Sequence, residues 1–130
     1  MKILLIEDDG LLAYMVESTL EAHGYTVLGP ARSVQSATDL AAQYRPDLAV
    51  VDIDLGGKES GVDVARRLNA LFNTPSIYLT GQERVARANS DCAIGLILKP
   101  VSPDDLVQAI DCITRRNGET VPPALTLFRT

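Results

Sequence analysis

The chain is short of several things at once. It has no continuous apolar run of the roughly 18 residues that a membrane-crossing helix needs. Its opening, Met1 to Asp9, is too brief an apolar stretch, and meets acids too soon, to be a secretory leader. It has two cysteines, Cys92 and Cys112, and one histidine, His23, and these stand at no metal-ligand spacing. Isolated thiols in a chain without an export signal point to the cytoplasm. Basic residues are outnumbered, 12 against 17 acidic ones, and the net charge of −5 argues against direct binding to DNA or another nucleic acid. No internal repeat and no linker-like tract divides the 130 residues, so one domain is expected, and an apolar share of 46% is enough for a real core.

What is present is an unbroken alternation of strand and helix signals. Lys2 to Ile6 reads as a strand, and Gly10 to His23 as a helix with Leu12, Met15, Val16, Thr19 and Leu20 at helical spacing, stopped by Gly24. Tyr25 to Leu28 is a second strand, closed by Gly29-Pro30. Ser33 caps a helix reaching about Tyr44, with Val34, Ala37, Leu40 and Ala41 on one face. Leu48 to Val51 is a third strand, and Gly61 to Leu71 a helix beyond the loop 56–60. Ile77 to Leu79, a short helix over Glu83 to Ala88, and Ile94 to Leu98 follow. Ser102-Pro103 starts a last helix that runs to about Arg116 and is ended by Gly118. Five strands alternating with helices predict a parallel sheet with helices on both faces, a doubly wound three-layer α/β/α sandwich. The domain is expected over residues 1–118. The tail, 119–130, carries Leu125, Leu127 and Phe128 and is expected to pack back on it.

The chemistry lies at the strand ends. Asp52 directly follows the apolar run Leu48-Ala49-Val50-Val51, a pattern that reads as a fully buried strand. Glu7, Asp8 and Asp9 follow the first strand, Thr80 the fourth and Lys99 the fifth. Open α/β sheets bind their ligands at this carboxyl edge. Acids, a hydroxyl and an amine gathered there suit a divalent cation and a phosphoryl group. Mg²⁺ takes oxygen ligands and is held by one or two carboxylates with waters and phosphate. Asp8 and Asp52 are the expected direct ligands, Glu7 acts through water, and Asp9 lies outside. Lys99 is expected to face Asp52 or a phosphoryl oxygen.

In order and spacing, Glu7-Asp8, Asp52, Thr80 and Lys99-Pro100 resemble the response-regulator receiver family, over about Lys2 to Arg116. The resemblance implies a flavodoxin-like, five-stranded sheet of order 2-1-3-4-5. It implies Mg²⁺-dependent transfer of a phosphoryl group from a phosphohistidine to Asp52. The donor would be a histidine kinase or a histidine phosphotransfer protein. Metal would be held by Glu7, Asp8, Asp52 and the backbone carbonyl of Asp54, and phosphoryl oxygens by Thr80, the Gly81 amide and Lys99. Such a domain phosphorylates and dephosphorylates itself and then switches its contacts with an output protein or a second copy of itself. The length suggests a stand-alone, single-domain form.

Some positions depart from the family's pattern. Leu96 stands where an aromatic switch residue is usual, three positions before Lys99. The stretch from Thr80 to Lys99 is about three residues short, which implies a clipped fourth helix. Gly56 replaces a common proline, and the loop to Gly61 is one residue longer. Asp54 and Gln82 occupy positions that tune dephosphorylation in the family. The loop and the shortened stretch look more like receivers of alphaproteobacterial stress regulators that carry sigma-factor-like modules. Two alternatives stand beside this one. Asp52-Ile53-Asp54 matches the Asp-x-Asp of haloacid-dehalogenase-type phosphatases, although the acids here precede the nucleophile on the first strand. A receiver-like scaffold that is never phosphorylated is the other. The segment Gly56-Gly57-Lys58-Glu59-Ser60 looks superficially like a phosphate-binding loop. It lacks the required first glycine, since Asp52 stands there.

Overall fold

The computed structural model describes residues 1–115 and 120–128. Six strands are β1 (Lys2–Ile6), β2 (Thr26–Ala31), β3 (Leu48–Val51), β4 (Ser76–Thr80), β5 (Gly95–Leu98) and β6 (Leu125–Leu127). Five helices are α1 (Gly10–Ala22), α2 (Val34–Tyr44), α3 (Gly61–Phe72), α4 (Glu83–Ala88) and α5 (Pro103–Arg115). A single 3-10 turn covers Ser90–Cys92. The strands form one sheet of order β2-β1-β3-β4-β5-β6. The first five are parallel, in the expected 2-1-3-4-5 order, and β6 adds to β5 antiparallel.

The period-two alternation of each strand divides the core. Leu4, Ile6, Ala49, Val51, Tyr78 and Leu96 face the α2–α3 side and pack on Ala37, Ala41, Val62, Ala65 and Leu68. Ile3, Leu5, Leu48, Val50, Ile77, Leu79 and Ile97 face α1 and α5 and pack on Ala13, Val16, Leu20, Leu106, Ala109 and Ile110. Because β3 and β4 are covered on both faces, they read as continuous apolar runs rather than alternating ones. Asp9, Ser33 and Ser60 cap α1, α2 and α3 through side-chain oxygens, and Ser102 accepts from the Asp105 amide at the start of α5.

The sequence expectations need correction in two places. The second strand does not stop at Gly29-Pro30 but continues to Ala31, where Ile6 pairs with Ala31 beyond a register shift and the Glu7 amide donates to the Ala31 carbonyl at 3.0 Å. Since β2 is an edge strand, the missing N–H of Pro30 leaves no neighbour unpaired. The sheet also has six strands, not five, because three residues of the tail join it. The predicted end of the last helix at Arg116 and Gly118, and with it the predicted boundary of the domain, lies outside the described residues.

One close contact ties the fold to its carboxyl rim. A Cβ on Gly61 would lie 1.9 Å from the carbonyl oxygen of Asp52. Glycine is therefore required there, and α3 begins directly against the backbone of the acidic strand end. The Gly61 amide donates to Ile53 at 2.8 Å, and Asp54 and Ser60 form an isolated bridge, so the intervening loop is closed at its base.

Candidate functional site

The parallel sheet brings every strand end to one rim. There Glu7, Asp8 and Asp52 each offer a carboxylate oxygen within 4.8 Å of the others. Glu7 and Asp52 are buried, with 1% and 5% of their surface exposed, and Asp8 is half-buried. The Lys99 ammonium sits between two of them, 3.0 Å from Glu7 Oε1 and 3.0 Å from Asp52 Oδ2. The second Glu7 oxygen accepts from the Asp9 amide at 3.1 Å. Thr80 is fully buried at the end of β4 and its hydroxyl oxygen accepts from the Gln82 amide at 3.1 Å. The backbone amide of Lys99 donates to the Thr80 carbonyl at 3.0 Å, so the hydroxyl and the amine are joined through the backbone. The Lys99–Pro100 peptide is cis. These groups line a cleft of about 350 Å³ that also includes Asp9, Asp54, Gly56, Gly81 and Gln82. A larger groove of about 540 Å³ lies between α2 and α3, but its charged groups, Glu59, Asp63, Arg66 and Arg67, are of both signs.

Electrostatics set the resting state of the rim. Burial pushes the Glu7 carboxyl above its usual range, and the charge of Asp52 adds to this, against the hydrogen bonds from the Asp9 amide and Lys99. Burial alone would lower the Lys99 pKa, but its hydrogen bonds to Glu7 and Asp52 outweigh that and raise it. Lys99 is therefore charged, and it pairs with two of the three carboxylates, Glu7 and Asp52. Oxygen-only donors carrying surplus negative charge fit a hard divalent cation such as Mg²⁺.

The sequence-derived residues do not all meet in the way expected. Asp52, Thr80, Lys99, Glu7 and Asp8 converge. Lys99 bonds Asp52, one of the two partners expected for it, and also bonds Glu7, a contact the sequence does not signal. Asp9 turns away and accepts from the Leu11 and Leu12 amides as the cap of α1. The Asp54 side chain is exposed, accepts from the Gly56 amide at 3.0 Å and stands outside the three-carboxylate cluster. An Asp-x-Asp pair acting together, as the phosphatase alternative requires, is thus not assembled. Leu96 is buried directly opposite Tyr78 in the β4–β5 register. The aromatic ring of this region stands one strand over, a feature that the sequence signalled only as one more apolar strand residue. The Tyr78 hydroxyl donates to the Asn89 carbonyl at 2.9 Å and lies 2.9 Å from Cys92 Sγ. Its ring meets Phe128 edge-on, with centroids 6.3 Å apart.

Comparison with known proteins gives consistent results. Residues 3–111 match the family model described as the response regulator receiver domain. The chain is 30% identical over 121 residues to the transcriptional regulatory protein PdtaR of Mycobacterium tuberculosis, an alignment covering 91% of this chain and 58% of that protein. It is 34% identical over 111 residues to the phyllosphere-induced regulator PhyR of Methylorubrum extorquens, covering 84% and 42% respectively. Among solved structures, the receiver domain of a modulated diguanylate cyclase from Desulfovibrio desulfuricans superposes with a TM-score of 0.76 at 36% identity, covering 88% of this chain and 94% of that one. The response regulator PhyR from Brucella abortus superposes with a TM-score of 0.70 at 27% identity, covering 81% and 44%. The chain spans about half the length of the curated relatives it matches.

Proposed function

The chain belongs to the response regulator receiver family, and from that premise we propose that it accepts a phosphoryl group on Asp52 from the phosphohistidine of a histidine kinase or a histidine phosphotransfer protein. One observation carries this reading. Asp52 is buried at a strand end, bonded at 3.0 Å to a lysine that it shares with Glu7, inside a cluster of three carboxylates. In the transfer, an Asp52 carboxylate oxygen forms the new bond to phosphorus while the bond from phosphorus to the donor imidazole breaks. Lys99 offsets charge on the phosphoryl oxygens, and the Thr80 hydroxyl and Gly81 amide donate to them. Glu7 holds Lys99 and keeps the ammonium at the rim. Asp8 and Asp52, with Glu7 and the Asp54 carbonyl, would hold Mg²⁺, which supplies neutralisation of the charge on the transferred group. Water later cleaves the acyl phosphate, so the protein signals rather than turning over a substrate pool.

The donor has a surface to dock on. Leu11 and Tyr14, one turn apart on α1, are 81% and 69% exposed and follow directly on the acidic loop. An exposed apolar pair in the first turns beyond the acidic loop suits the helical body of a phosphodonor. Output then runs through protein contacts, with another protein or a second copy, in keeping with the net charge of −5. Two free thiols suit the reducing cytoplasm.

The test is phosphotransfer from purified, radiolabelled histidine kinases, with Asp52→Ala as control. Label should appear on the wild-type chain, disappear with chelator and be absent from the variant. Label retained by Asp52→Ala would overturn the assignment. No label from any kinase or from acetyl phosphate would leave the scaffold reading standing instead.

A further inference from the structure

The C-terminal strand pairs with β5, whose end carries the site's amine, and the residue after it packs on β4, whose end carries the hydroxyl. Its residues Leu125, Thr126 and Leu127 pair with Ile97, Leu96 and Gly95, and the Phe128 amide donates to the Ile94 carbonyl at 3.0 Å. Leu125 is buried beside Ile97, two positions before Lys99. Phe128 packs on Tyr78, two positions before Thr80. The β5 edge is shaped for this neighbour. A Cβ on Gly95 would lie 2.7 Å from the Thr126 carbonyl, and with glycine there the space is free. The hold is slight, because β6 is three residues long, only Leu125 is buried, and Leu127 is largely exposed.

We infer that β6 is a releasable cover of the β5 edge, freed when Asp52 is phosphorylated, and that the bared edge takes an extended segment of a partner protein. The inference rests on the phosphoryl-acceptor reading above. A group on Asp52 draws Thr80 and Lys99 toward its oxygens and so displaces the ends of β4 and β5 together. Of the two pairings β5 makes, the three-residue one to β6 is shorter than the four-residue one to β4, and it yields first. The chemistry of the incoming segment is set by what now fills the edge. It runs antiparallel to β5, with an aliphatic residue against Ile97, a small polar residue crossing Leu96 and an aromatic one reaching Tyr78. An exposed strand edge with its hydrogen-bonding groups free is a ready template for such addition.

The full chain is examined with and without Mg²⁺ and beryllofluoride, using a fluorescent peptide of residues 120–128 as probe. The ¹⁹F spectrum reports whether the mimic binds. With the mimic bound, hydrogen exchange at the Phe128 amide should rise, and peptide affinity should increase about 10-fold or more. Gly95→Ala should free the Phe128 amide without the mimic and abolish peptide binding in both states. Phe128→Leu, which keeps an apolar side chain but loses the ring, should bind the peptide without the mimic. Bound mimic with unchanged exchange and unchanged peptide affinity would overturn this inference and leave the phosphoryl reading intact. Absence of a bound-mimic signal would overturn both.

Discussion

Two polar networks occupy opposite ends of the same sheet, and they are wired differently. At the amino-terminal end the Tyr25 hydroxyl donates to Asp111, lies 2.7 Å from Thr114 Oγ1 and accepts from Arg115 at 3.4 Å. Arg115 also bonds Asp111 at 3.2 Å and the His23 carbonyl at 3.1 Å, and stacks 5.4 Å over the Tyr25 ring. One carboxylate meets one guanidinium, and the hydroxyl joins them. At the carboxyl end three carboxylates cluster, and one ammonium bonds two of them. The first network is complete in itself and ties α5 to the start of β2. The second carries a charge surplus that no side chain among the described residues neutralises, and a ligand can. Burial acts at both ends, raising the pKa of Tyr25 and of Glu7, but only at the rim does it act on a group crowded by its own kind.

The comparison can be broken most severely at Gly61. Gly61→Ala puts a methyl group against the Asp52 carbonyl and should cost about 3 kcal/mol or more. Chemical denaturation would measure it. Asp52 should lose its metal response along with stability, while the Tyr25 network, at the other end, keeps its form.

The charge balance gives the next test. Asp52→Asn removes one of three like charges and should stabilise the metal-free chain by about 1 kcal/mol. Asp111→Asn removes the only carboxylate of its network among the described residues and should cost about 1 kcal/mol. Added Mg²⁺ should raise the Tm of the wild type and of Asp111→Asn, and much less that of Asp52→Asn. Equal and same-signed effects of the two substitutions would erase the distinction drawn between the networks.

The smallest effect is in pH dependence. The Glu7 pKa is raised on folding, so above the ordinary value of 4.5 the folded chain binds more protons than the unfolded one. Stability from this group is therefore present at low pH and is lost as pH rises from about 4.5 through the raised value. Tyr25 follows the same rule in the alkaline range, losing its contribution above 10. Metal-free unfolding curves should show the acid-side slope in the wild type and a flatter one in Glu7→Gln. Tyr25→Phe should leave that slope alone.

Most of the fold was legible because its signals are local. Val50 and Val51 mark a buried strand by being apolar in succession, and Ser33 and Ser102 mark helix starts by being able to accept from the first turn. The site was legible for a topological reason. In a parallel sheet all strands end on one edge, so Asp52, Thr80 and Lys99 had to come together. What escaped was whatever depends on distance between chain segments. Glu7 could not be read as a partner of Lys99 because 92 residues separate them and either acid could have served. Gly29-Pro30 looked like a stop because a glycine-proline pair ordinarily closes a strand, although an edge strand tolerates a residue without an N–H. Three residues of tail could be seen as apolar, but not as a strand, since their partner β5 supplies the register.

The closed base of the loop after Asp52 has a further consequence. With Gly61 bonded to Ile53 and Ser60 bridged to Asp54, both feet of the loop are fixed by backbone alone, independent of the residues between them. Changing the exposed tip, residues 57–58, therefore leaves the acceptor and α3 where they are, whereas Leu55 belongs to the core and Gly56 lies against Asp8. That tip is a place where the surface presented near Asp52 can diverge, and where a reporter peptide could be spliced in to sense the acceptor's state.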